Sequence, residues 1–86
     1  MSARILIVED EPAIRELLAV NLRHAGYVVD AADTAEAAQM HLDAATPDLV
    51  LLDWMLPGQS GIDLARRLRG DARTRHLPIV ILTARA

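Results

Sequence analysis

Apolar positions along the chain switch between two rhythms. Unbroken runs appear at Ile5-Leu6-Ile7-Val8, Leu49-Val50-Leu51-Leu52 and Ile79-Val80-Ile81-Leu82. Between them, apolar residues recur every three to four positions. A short continuous run bounded by polar residues marks a strand buried on both faces, as in a parallel sheet. The runs therefore predict strands at Arg4–Val8, at Leu49–Leu52 and at Pro78–Leu82, with a weaker one at Tyr27–Ala31.

The intervening segments read as helices. Pro12 suits a first helical position, and Ile14, Leu17, Leu18, Leu22 and Ala25 follow at helical spacing up to Gly26, a C-terminal glycine. Thr34 caps a second helix with Ala35, Ala38, Leu42 and Ala45 on one face, stopped by Pro47. Ser60 caps a third, with a stripe of Ile62, Ala65, Leu68 and Arg69, closed by Gly70. Asp71 to Leu77 reads as polar loop. The order βαβαβαβ predicts an α/β, doubly wound, flavodoxin-like parallel sheet with strand order 2-1-3-4. No internal repeat, low-complexity tract or linker divides it.

Open parallel sheets place their sites at the carboxyl ends of the strands. The first strand ends in Glu9 and Asp10, the third in Asp53 and the fourth in Thr83. With strands one and three adjacent, three carboxylates and a hydroxyl converge. Crowded carboxylates repel unless a cation intervenes. All-oxygen ligands suit a hard ion, so the expectation is a Mg²⁺ site with room for a phosphoryl group. Taken singly, each piece also has a plainer reading. Glu9-Asp10-Glu11 suits a helix N-terminus, and Asp53 before a Pro-Gly break suits a turn. Trp54 and Met55 read as packing residues. His24, His41 and His76 share no ligand spacing, and Arg66, Arg67 and Arg69 read as a solvated helix face.

Composition narrows the classes. Eighty-six residues allow one small domain. Without cysteine there is neither a disulfide nor a thiolate metal site. No apolar run approaches the roughly 18 residues of a membrane helix, and the N-terminus does not resemble a signal peptide. A cytoplasmic protein with no membrane partner is expected. The net charge of −3 hides a division: residues 1–65 carry three arginines and eleven acids, whereas residues 66–86 carry six arginines and one acid. That basic segment lacks interleaved aromatics, so no direct nucleic acid contact by this domain is expected.

The segments "ILIVEDEPAIRELL" (5–18), "PDLVLLDWMLPGQSGIDLARRLR" (47–69) and "LPIVILTARA" (77–86) resemble the receiver domains of bacterial response regulators, most of all the OmpR/PhoB subfamily. The resemblance covers essentially the whole chain, and "LLDWMLPG" with "LTAR" is highly specific. It implies that Asp53 accepts a phosphoryl group from a sensor histidine kinase. It implies that Asp10 and Asp53 ligate Mg²⁺ directly, Glu9 through water, and Met55 through its backbone carbonyl. Thr83 would be the switch hydroxyl on the phosphoryl group, assisted by the Ala84 amide. Ile14, Leu17 and Leu18 would lie on the kinase-docking face. Receivers are phosphoacceptor signalling domains rather than enzymes, and in the full-length protein they control DNA binding and transcription.

The chain departs from that pattern after Ala86. The family continues with a fourth helix, a fifth strand and a fifth helix, which supply a phosphate-binding lysine and an aromatic switch residue. This sequence contains no lysine. Residues 1–86 are therefore expected to form an incomplete receiver domain without the DNA-binding effector domain. An open fourth strand would then favour self-association or a segment-exchanged dimer. Competing classes fit less well. A P-loop ATPase needs GxxxxGK[ST], which is absent. A haloacid-dehalogenase-type phosphatase wants an aspartate where Met55 stands. A pseudo-receiver serving only as a protein interaction module is the remaining alternative, and Asp10, Asp53 and Thr83 together count against it.

Overall fold

The computed structural model describes residues 2–82. Four strands, β1 (Arg4–Val8), β2 (Val28–Ala32), β3 (Leu49–Asp53) and β4 (Ile79–Leu82), alternate with helices α1 (Pro12–His24), α2 (Ala35–Ala44) and α3 (Gly61–Gly70). The sheet is parallel in the order β2-β1-β3-β4, as the pattern predicts. Ile5 pairs with Leu49 and Val8 with Leu52 across β1 and β3. Asp53 lies opposite Leu82 on β4.

Side chains leave each strand alternately to two faces. Leu6, Val8, Ala32, Val50 and Leu52 meet Ala35, Ala38 and Leu42 of α2 and Leu64 and Leu68 of α3 in the larger apolar cluster. Ile5, Ile7 and Val29 meet Ala19, Leu18 and Leu22 of α1 in the smaller one. Both faces of β1 and β3 thus touch apolar partners, which is why these strands read as continuous runs rather than alternating ones.

The helix starts follow the sequence. The Thr34 hydroxyl accepts from the Ala37 N–H at 3.0 Å and the Ser60 hydroxyl from the Asp63 N–H at 3.2 Å. Gly26 follows α1 with φ of 100°, a conformation that costs other residues a Cβ clash.

Three predicted helix details are corrected. Leu17 of α1 points outward, and the fully buried residue is Ala19, a small side chain that lets the helix sit close to the sheet. The buried stripe of α3 is Gly61, Leu64 and Leu68 rather than Ile62, Ala65, Leu68 and Arg69. Gly70 is the last helical residue and does not take a positive φ. The connection from Asp71 to Leu77 is also less polar in role than in composition. Leu77 is buried, and Thr74 is buried with its hydroxyl donating to the Leu68 carbonyl at 2.6 Å. Arg69 is exposed, as the solvated helix face predicts, yet its side chain is tied down. Its guanidinium donates to the carbonyls of Thr74, Arg75 and Leu77 at 3.4, 3.0 and 2.7 Å, so it organises the turn leading into β4.

Candidate functional site

The ends of β1 and β3 deliver the predicted carboxylates to one place. Val8 and Leu52 are paired neighbours in the sheet, so the residues one step beyond them, Glu9 and Asp53, are brought side by side. The Glu9 N–H donates to the Ala32 carbonyl at 3.0 Å, tying the end of β1 to β2. Oxygens of Glu9, Asp10 and Asp53 all lie within 4.8 Å of one another. Glu9 is 2 % exposed and Asp53 7 %, whereas Asp10 is open to solvent.

Two buried carboxylates at this range cannot both stay charged cheaply. Burial pushes Glu9 up to about 7, and its hydrogen bond and charge repulsion with Asp53 add to the rise. A smaller opposing pull comes from the Glu11 N–H, which donates to Glu9 Oε2 at 3.3 Å. The Asp53 carboxylate is itself oriented by the Met55 N–H, which donates to Oδ1 at 3.1 Å. That bond fixes the plane of the carboxylate beside Glu9.

Gly61, the first residue of α3, explains how Asp53 is held. Its N–H donates to the Trp54 carbonyl at 3.0 Å, and an added Cβ would lie 2.7 Å from Trp54 Cα and also strike the Asp53 backbone. Sequence reasoning passed over Gly61. The available signal was a poor helix former placed directly after a capping serine. Trp54 and Met55, expected to pack inside, are instead exposed, Trp54 by 46 %. With Asp10, Leu56, Pro57, Ser60 and Ile62 they line an apolar hollow of about 570 Å³ beside the acids. They turn outward because the chain bends away from the sheet after Asp53, so the strand rhythm no longer governs them.

Thr83 and Ala84 lie outside the described residues. Of the docking residues, Leu17 is 63 % exposed, Ile14 is half-buried, and Leu18 is half-buried against the smaller apolar cluster. No described helix is long and apolar enough to cross a membrane.

Comparison with known proteins agrees with this geometry. The model for "response regulator receiver domain" matches residues 5–86. The chain is 53 % identical over 81 residues to the phosphate regulon transcriptional regulatory protein PhoB of Pseudomonas aeruginosa, covering 94 % of this chain and 35 % of that one. It thus spans about a third of the length of such relatives. A crystal structure of a putative response regulator from Chloroflexus aurantiacus superposes with a TM-score of 0.95 at 37 % identity, over all of this chain and 70 % of that one. The receiver domain of the sensor histidine kinase PA1611 from Pseudomonas aeruginosa, solved with a magnesium ion in its active site cleft, gives 0.92 at 31 % identity, again over all of this chain and 70 % of that one. With matching sequence and topology, the chain belongs to the response regulator receiver domain family, the phosphoacceptor modules of two-component signalling.

Proposed function

We propose that Asp53 is the phosphoacceptor and that Asp10, Asp53, the Met55 carbonyl and, through water, Glu9 hold Mg²⁺. The observation that carries this reading is the gathering of Glu9, Asp10 and Asp53 oxygens within 4.8 Å at the carboxyl edge of the sheet. The donor set fits the ion: all ligands are oxygens, and a buried acid pushed up to about 7 marks a pocket short of positive charge. When bound, Mg²⁺ supplies neutralisation of the phosphoryl oxygens and of the acidic pocket.

The chain's own residues do the rest. The Met55 N–H fixes the Asp53 carboxylate through Oδ1, so that the carboxylate is held ready to attack phosphorus. Attack forms the O–P bond of an aspartyl phosphate as the P–N bond to the donor imidazole breaks. The imidazole leaves with its electron pair, neutralised by a proton from solvent. Positioning is the protein's main contribution to such a transfer, and Gly61 and the Met55 amide provide it. Thr83 and the Ala84 amide are assigned to the phosphoryl oxygens from the family pattern. The domain is a signalling module whose chemistry is limited to its own phosphorylation and dephosphorylation.

The donor is a sensor histidine kinase, docking over Ile14 and Leu17 of α1, with Leu18 supporting them from the core side. Relatives are named transcriptional regulators, so in the full-length protein the modification controls DNA binding by a separate effector domain, in the cytoplasm. Phosphorylation on a small donor tests the core of the reading. Acetyl phosphate with millimolar Mg²⁺ is expected to add the mass of one phosphoryl group only slowly to the wild type, which has no lysine, and none to Asp53→Asn. An equal adduct on Asp53→Asn rejects the assignment. A wild type that never gains the adduct favours the interaction-module alternative.

A further inference from the structure

Arg15 sits in the first turn of α1, where the helix dipole disfavours a cation. No acid accompanies it in that turn. Its guanidinium instead folds back over the turn between β1 and α1, donating to the Glu9 carbonyl at 3.0 Å and the Asp10 carbonyl at 3.4 Å. These two residues carry two of the three clustered carboxylates. The Glu9 backbone is already tied to β2 through its N–H. Asp10 has left the sheet, is exposed, and is braced through its carbonyl by the arginine.

We propose that Arg15 is a positioning residue for the acidic site: by clamping the Glu9 and Asp10 carbonyls together it fixes the turn that aims both carboxylates at Asp53. The proposal rests on the reading of Glu9, Asp10 and Asp53 as a cation site. A rival role is purely electrostatic, the guanidinium acting as a counter-charge to the acids. The two roles have opposite consequences. A counter-charge competes with a bound dication, so its removal tightens binding. A clamp holds the ligands in place, so its removal weakens binding. Both bonds leave one guanidinium nitrogen, Nη1, and a lysine ammonium keeps the charge but ends one atom short of that position.

Mg²⁺ titrations followed by Trp54 fluorescence, on the 86-residue chain and on Arg15→Ala and Arg15→Lys, separate these roles. Thermal unfolding without metal is measured in parallel. The clamp predicts that both variants weaken Mg²⁺ binding about tenfold, the scale of lost ligand-orienting bonds. Loss of the carbonyl bonds is also expected to lower the metal-free melting temperature, so affinities are compared at a temperature where all three proteins are folded. Arg15→Lys with wild-type affinity, or Arg15→Ala with tighter binding, overturns the clamp. Unchanged affinity in both variants overturns it alone and leaves the cation site standing. A wild type without a saturable Mg²⁺ response overturns the cation site and the clamp together.

Discussion

Glu9 is the residue whose protonation state most directly reports on the site. Its carboxyl is raised from the ordinary 4.5 to about 7 in the folded protein. The folded state therefore holds this proton more tightly than the unfolded chain. Stability from this group is fully present below pH 4.5 and is lost as pH rises toward 7, with a slope of up to about 1.4 kcal/mol per pH unit. Denaturant unfolding without divalent cation is expected to show that decline between pH 4.5 and 7, and Glu9→Gln to flatten it. A variant that keeps the wild-type slope would assign the decline to another group. This behaviour was half legible in the sequence. The strand-end position of Glu9 was visible, but its burial depends on β2 and β3 closing around it, which no local pattern encodes. Asp10, one residue on, was equally visible and lies exposed.

At the scale of elements, the α3–β4 connection shows where pattern reading falls short. Strand β4 was placed nearly to the residue because its apolar run is continuous. The seven residues before it read only as polar, since hydrogen bonds from Arg69 to three carbonyls and from Thr74 to the Leu68 carbonyl leave no periodic trace. Likewise Leu64 was overlooked in favour of Ile62 and Ala65, because a ten-residue helix offers several stripes and only the sheet decides which is buried. Arg69→Ala removes charge-assisted bonds and leaves the carbonyls of a half-buried turn to water. A loss of about 1–3 kcal/mol is expected, with faster amide hydrogen exchange along β4 than along β1. Uniform acceleration across the sheet would argue for a global rather than a local effect.

At the scale of the whole molecule, topology was readable because strand, helix and site all obeyed one rule: sites form where parallel strands end. The two apolar clusters were less so. Among the described residues the larger holds twelve buried residues and the smaller four. On β4, the outer strand of the described sheet, Val80 and Ile81 are exposed.

The buried Glu9 also makes the site a store of acid equivalents. At a pH below about 7 the empty pocket keeps a proton that a dication must displace. Filling the pocket is then an exchange of one cation for another, and its measured heat will follow the ionisation enthalpy of whichever buffer accepts the proton. On the proposed reading of the site, readiness for phosphorylation would respond to two ion concentrations at once, magnesium and hydrogen, with acidity acting as a competitor.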